Sequence, residues 1–541
     1  MSDRYVFILG AGLMQKPAFE AAKKSGFKII CADANPKAVC VSYADKFFTV
    51  DLKDKEGLLS LAREYRDVLC AVFTAGTDFS SSVAYVSENT GLPGHSYEAS
   101  KNASNKALMR SCFEKEGVPS PGFTKIRRSS IAEFISDGSA GLLSFPKVVK
   151  PCDNMGARGC RLVRGRSELL PSLEDAVRYS KSSSAILEDY MEGPEFSIDA
   201  LIYDGTFTVT GFADRHIFFP PYFIETGHTM PSFSVDEKTK LSLIKAFARG
   251  AKSLGLTCGA AKADIKLTSS GPMLGEIAAR LSGGYMSGWT YPYASGLDLT
   301  KEALLIAAGQ KPESLLSSRV PLSVEDAGYE MYEVPCNAYS CERSWISIPG
   351  TVKKIYGLDK ALASPFVKNV FPRAQEGDEV SFPRNNVQKC GNVISRAETL
   401  EDASSSAENA VSNIVLRLLT GSFETDIFLS GKELETEKSF PPSCFEAEKF
   451  SEELRAFEEK NPVLKKDLPL AEFLASSLPD DFLLLKDYNY RSVKKTALLF
   501  DEISPVHPEL SSRKILSYLI RGGLQGLLYL SDTVAEKGKI Y

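Results

Sequence analysis

At 541 residues, 43% hydrophobic and 25% charged, the chain has the composition of a globular protein, and about 150 residues per domain suggests three or four domains. A net charge of −5 argues against a nucleic-acid polyanion as the main partner. No apolar run nears the ~18 residues of a membrane helix, and MSDRYVFILGAG enters a strand rather than a signal peptide, so a cytoplasmic protein without a membrane partner is expected.

The eleven cysteines include no C-x-x-C pair, which fits reduced thiols. The four histidines, His95, His216, His228 and His507, lack metal-ligand spacing. In chain order, YVFIL (5–9) reads as a buried strand, followed by Gly10-Ala11-Gly12, a helix to Lys24 and a second strand ending at Asp33. Gln15 replaces the third glycine of a G-x-G-x-x-G fingerprint, so the unit predicts a parallel α/β fold more firmly than a dinucleotide site. Two further strand–helix repeats, 47–65 and 67–90, make residues 1–100 one doubly wound parallel domain.

The expected central domain, of α+β type, spans 101–315. A helix over 100–117 carries Lys106 near its start. FPKVVKP (145–151) is a strand presenting Lys150, and the loop 152–159 with Gly156 and Gly159 leads into a returning strand. Such a loop suits a flap, covering about 125–190, whose backbone N–H groups cover phosphates above a lysine; an ordinary glycine hairpin reads the same way. No G-x-x-x-x-G-K-[ST] loop occurs. Glu188-Asp189-Tyr190-Met191 is read as an acidic connection before a strand from Glu195, able to offer donors, acceptors and a carboxylate to a nucleoside. Residues 223–231, with Glu225 and His228, are read as a polar loop, and 236–254 and 299–310 as helices.

Between these helices lies GAAKADIKLTSSGPMLGEIAARLSGG (259–284), read as a hairpin of strands 261–267 and 273–280. Asp264 and Glu276 are symmetric about Ser270, so antiparallel pairing sets them opposite or nearly so, where like charges repel. A hard divalent cation with phosphate oxygens would turn that repulsion into attraction, and alternation puts Arg280 on the same side. A solvated hairpin face would carry the same charges. Residues 316–420 read as a small β domain of short strands closed by a helix over 400–419. The extension 421–541 mixes helices and carries no chemical constellation, which leaves a structural or subunit-contact role.

Seven loose motifs in a fixed order give the chain its resemblance to the ATP-grasp family of carboxylate–amine ligases over about residues 5–420. They are GAG with D-x-N-P (33–36), NK (105–106), VVKP with the glycine flap, EDYM, GPEFSID, Asp264, and GEIAARLSGG. The resemblance implies ATP with Mg²⁺, or Mn²⁺ in its place, a small-molecule acid and an amine as substrates, and leaves a homo-oligomer open. It implies that Lys106 and Lys150 hold phosphates and that Gly156 and Gly159 form the flap. Glu188, Tyr190 and Met191 would meet the adenine, Glu195 the ribose, Asp264 and Glu276 the metal, and Arg280 the transferring phosphoryl group. Where the family often has E-x-N-x-R, Ala278 stands in place of the Asn, which leaves one or two metal ions open. E-T-G-H-x-x-P-S (225–232) resembles the branch that joins amino acids to amines, with Glu225 or His228 as proton acceptor. Biotin-carboxylase-like or phosphoribosylamine-ligating chemistry, a nicotinamide-dependent oxidoreductase and a degenerate ATP-binding regulator are the alternatives.

Overall fold

The structure, a computed structural model, describes residues 4–136, 139–431 and 440–537. They form two compact units: residues 1–216 with 228–341 and 396–400, and residues 217–227 with 342–395 and 401–541.

The first unit begins with a four-stranded parallel sheet ordered Lys46–Thr49, Lys28–Asp33, Tyr5–Leu9, Leu69–Phe73. Helices Lys16–Lys24, Lys55–Glu64 and Ser80–Thr90 connect it, and two apolar clusters lie on its faces, Val6 and Ile8 in one and Phe7 and Leu9 in the other. Burial on both sides explains why these strands read as continuous apolar runs. Asp33 Oδ2 accepts from the Ala11 N–H at 2.7 Å, tying the glycine turn to the second strand.

The expected helix over 100–117 is two helices, Tyr97–Ser104 and Lys106–Lys115. Asn105 between them is extended, and its Oδ1 caps the second helix by accepting from the N–H groups of Ala107 and Leu108. A four-stranded antiparallel sheet follows, ordered Phe123–Arg127, Ser184–Asp189, Lys147–Pro151, Arg161–Val163.

The strands Gly271–Ala278, Gly259–Thr268, Glu195–Tyr203 and Thr206–Phe218 lie side by side in that order. Alternation gives the first three two unlike faces. Phe196, Ile198, Ala200, Ala263, Ile265, Leu274 and Ile277 share a core with Leu243, Ile244 and Phe247 of the helix Glu237–Ser253. The opposite face carries Glu195, Ser197, Asp199, Lys262, Asp264, Lys266 and Glu276. Ile265 pairs with Leu274 and Asp264 with Glu276, so Gly275 is an extra residue, a bulge. The bulge lets Leu274 and Ile277 both reach the helix while Glu276 faces the charged side.

Residues 223–231 are not a loop: Ile224–Met230 is a strand. Its Glu-Thr-Gly-His polarity concealed an element whose residues 226–230 are all buried. In the second unit the expected helix over 400–419 ends at Asn413, and Val415–Leu418 pairs with the strand Gly350–Tyr356. The alternating V-L-R-L favours extended backbone there. Val367–Pro372 pairs with Gly391–Ala397. The C-terminal extension is mainly helical: Phe423–Ser430, Ser451–Lys460, Leu470–Ala475, Val493–Ile503 and Ser512–Lys537. The last is broken at Gly523 (φ 54°, ψ −139°). Val415 lies in the same apolar cluster as Phe457, Phe473, Phe500 and Leu528 of these helices. Among the described residues no helix is long and apolar enough to cross a membrane.

Candidate active site

The charged face of the hairpin is where the expected site residues converge. Asp264 and Glu276 stand opposite each other in the ladder. Glu276 Oε2 lies 3.1 Å from Lys106 Nζ, and Asp264 lies 2.5 Å from Lys262 Nζ and 3.0 Å from an Arg215 nitrogen. Burial alone would raise the Glu276 carboxyl, but Lys106, Lys262 and Arg280 outweigh it and hold it down at about 2. Asp264 Oδ1 is buried and accepts no hydrogen bond despite its nearness to Arg215. Two carboxylates opposite each other in the ladder, each balanced by neighbouring cations, fit a hard divalent cation whose remaining ligands come from phosphate or water. Among the described residues there is no group of three or more His, Cys, Asp or Glu side chains that could hold a metal ion.

Lys106 has a second task. Its Nζ donates to Asn154 O at 3.0 Å, at the root of the glycine loop, and its backbone N–H donates to Cys152 O at 2.8 Å. The loop turns through left-handed backbone at Gly156 (φ 69°), Ala157 (60°) and Gly159 (68°), two of them glycines as such a turn prefers. Asn154 Oδ1 accepts from the Met155 N–H and from Arg158 Nη2, bracing the same loop.

Glu188 is not in a solvated connection. It sits within the strand Ser184–Asp189, 1% exposed, while its neighbour Asp189 is exposed and pairs with Lys147. Glu188 Oε2 is 2.7 Å from Lys150 Nζ, and Oε1 is 2.8 Å from Arg110 Nη2. Burial pushes the Glu188 carboxyl up, yet Arg110 and Lys150 together leave it below the usual carboxylate range. Arg110, fully buried, also donates to the carbonyl of Gly275 at 2.6 Å. One guanidinium thus joins the flap sheet to the bulge of the hairpin.

Glu195 pairs with Arg215 and lies 3.6 Å from Lys266 Nζ. Lys266 donates to Met191 O at 3.2 Å and lies 5.5 Å from the Tyr190 ring centroid, so it anchors the connection between the two sheets. Asp199 is buried beside the serine of Ser282-Gly283-Gly284, whose N–H and Oγ donate to Oδ2 at 3.0 and 2.8 Å. Burial raises the Asp199 carboxyl to about 6 against those two hydrogen bonds and the charges of Lys262 and Arg280. Arg280 lies beyond the strand end at Ala278 and donates to Leu281 O at 3.0 Å. Gly283 packs on the loop after the strand Leu69–Phe73: a side chain there would meet Gly76 O at 2.8 Å.

Lys106, Lys150, Glu188, Glu195, Asp264, Glu276 and Arg280 therefore occur in one network of ion pairs and electrostatic contacts. Tyr190 and Met191 border it through Lys266. Glu225 and His228 share the strand Ile224–Met230, where alternation sends them to opposite faces. Glu225 O accepts from Lys389 Nζ at 2.7 Å, and His228 is 2% exposed. Sequence reasoning missed Arg110, Asp199, Arg215, Lys262 and Lys266. Lys262 and Lys266 carried a usable signal, since each lies two residues from Asp264 on its own face.

Residues 143–288 match the ATP-grasp domain family, and residues 344–418 match the family described as L-amino acid ligase C-terminal domain 2. The chain is 24% identical over 350 residues to an uncharacterized protein, y4rH, of Sinorhizobium fredii, covering 64% of this chain and 68% of the relative. It is 26% identical over 332 residues to carnosine synthase 1 of Gallus gallus, covering 57% of this chain but only 35% of that relative's length. The solved L-amino acid ligase of Bacillus licheniformis superposes with a TM-score of 0.63 at 21% identity, over 77% of this chain and 99% of that one, a likeness of fold. The chain thus carries an ATP-grasp domain over residues 143–288, followed over residues 344–418 by a match to the L-amino acid ligase C-terminal domain 2.

Proposed function

We propose that the protein is an ATP-dependent, ADP-forming carboxylate–amine ligase. It activates a small carboxylate, an amino acid in the reading the C-terminal family favours, as an acyl phosphate that an amine then attacks to form an amide. The observation that carries the proposal is the pairing of Asp264 with Glu276 beside Lys106, on the face that Lys150 and Glu188 reach through Arg110. Phosphoryl transfer asks a protein chiefly for positioning and charge neutralisation, which this face supplies.

In this reading Asp264 and Glu276 hold Mg²⁺. The ion, when bound, neutralises phosphate charge and polarises the phosphoryl oxygens. Lys106 and Lys150 take the nucleotide phosphates under the loop of Gly156 and Gly159, and Arg280 steadies the acyl phosphate. Glu188 keeps Lys150 oriented. Glu195, with Tyr190 and Met191, borders the nucleoside. The amine loses a proton on attack, and Glu225 and His228 are the proposed acceptors.

The test is ADP release from purified protein with ATP and Mg²⁺ against amino acids singly and in pairs, beside a Glu276→Ala control. Turnover that needs an amino acid and vanishes in the control supports the proposal. ADP formed only with bicarbonate or phosphoribosylamine assigns a different ATP-grasp reaction, and ATP binding without ADP in any mixture marks a regulator.

A further inference from the structure

Two rows of side chains cross the charged face, two residues apart along each strand. One row runs Ser197, Asp264, Glu276. The next runs Asp199, Lys262, Ala278. The first holds the carboxylate pair already described. A second divalent ion beside the first would draw its protein oxygens from the second row, because along each strand the next side chain on this face lies there.

That row is poorly made for a dication. Ala278 presents only a methyl group. Asp199 has Oδ2 engaged by the Ser282 N–H and hydroxyl, and although Oδ1 accepts no hydrogen bond, Lys262 stands between Asp199 and the hairpin's outer strand. Lys262 itself is a cation, its side chain 14% exposed and its Nζ 2.5 Å from Asp264 Oδ2. An ammonium in this second row repels a dication entering the row and carries the kind of charge that a dication would bring, while an ion on Asp264 and Glu276 has to displace it only from Asp264.

We propose that Lys262 supplies, as a fixed ammonium facing the nucleotide phosphates, the positive charge of a second metal, so that the hairpin works with one divalent cation held by Asp264 and Glu276. The inference rests on the nucleotide reading above. It gives Lys262 a direct phosphate contact and gives Asp199 the part of a positioning residue, a carboxylate behind the ammonium. A lysine point charge suits this use, since it needs no bidentate geometry.

The test counts nucleotide-dependent Mn²⁺ on the full chain by electron paramagnetic resonance of free Mn²⁺, with and without saturating adenylyl imidodiphosphate. One Mn²⁺ per chain is expected. Two Mn²⁺ that both require the analogue overturn the inference while leaving the nucleotide reading standing. If the analogue does not bind the wild-type chain at all, both fall. Calorimetry of the analogue with Lys262→Met, which keeps the aliphatic stem, is expected to show affinity reduced by about tenfold, with Lys262→Arg within about threefold of wild type. Unchanged affinity in folded Lys262→Met also overturns the inference. The wild-type count needs no variant, so a misfolded Lys262→Met leaves the proposal open to refutation.

Discussion

Glu188 is bound on both sides, by Arg110 and Lys150, in a setting that admits almost no water. Removing one member of such a group leaves a buried charge under-compensated, which costs about 3–5 kcal/mol. Arg110→Met should therefore lower the unfolding free energy of the first unit by about that amount, read by chemical denaturation, because it also frees the Gly275 carbonyl. Glu276→Gln is a different kind of change. It keeps the shape but removes the charge that pairs with buried Lys106, so it should lower stability as well as reduce Mg²⁺-dependent ADP release, measured in the coupled assay, by about 100-fold. The distinction also marks what the sequence revealed at this scale. Asp264, Glu276, Lys106 and Lys150 stand at strand and helix ends inside ordered motifs, and their chemistry was legible. Arg110 was not, because its partners Glu188 and Gly275 come from two different sheets, and no local pattern records a contact closed by tertiary folding.

At the scale of elements, the hairpin pairing was legible because the turn formers between its two alternating runs set the register, although Gly271 and Pro272 pair in the ladder and only Ser269 and Ser270 make the turn. The bulge was not: nothing short of the packed helix Glu237–Ser253 requires Leu274 and Ile277 to face the same way. The strand Ile224–Met230 was misread for a related reason, since its polar residues are buried by the fold rather than by their own chemistry. Gly193 shows what such close approach demands. It lies between the strands Ser184–Asp189 and Glu195–Tyr203 with φ 134°, and a Cβ there would stand 2.0 Å from the Leu267 carbonyl oxygen. Gly193→Ala must shift the connection between the two sheets. We expect a loss of about 2 kcal/mol or more, seen as a lower melting temperature, together with weaker nucleotide binding by calorimetry.

Across the molecule, His95 and the extension 421–541 bear on whole-unit stability. His95 is buried, with Nε2 2.9 Å from Ala260 O and Nδ1 accepting from the N–H groups of Thr257 and Cys258 at 3.3 Å each. Burial drives its pKa down from 6.5 to about 4, partly opposed by the Ala260 carbonyl. The folded state therefore favours the neutral ring. The stability it contributes is present above pH 6.5, and it is lost as pH falls from 6.5 towards 4, by about 3 kcal/mol in all. Denaturant midpoints across that window should fall with acid in the wild type and fall less in His95→Gln. In the second unit, the apolar cluster that unites Val415 with Phe457, Phe473 and Phe500 makes the extension part of a core. Truncation after residue 420 should abolish the cooperative thermal transition of that unit; a soluble, cooperatively melting 4–420 fragment would mean that the helices are dispensable. The helices themselves were legible from composition, and their core was not, because it is completed by a strand read as the end of a helix.

The charged face has one more property. Asp264, Glu276, Glu188 and Glu195 each already have a lysine or arginine within 4 Å. If the proposed nucleotide binds there, its arrival is an ion exchange, trading protein partners for its own phosphates and metal, instead of a stripping of water from bare charges. On the proposed reading the resident cations act as a stationary phase, and the affinity for a nucleotide polyphosphate is set by how readily those lysines change counter-ion.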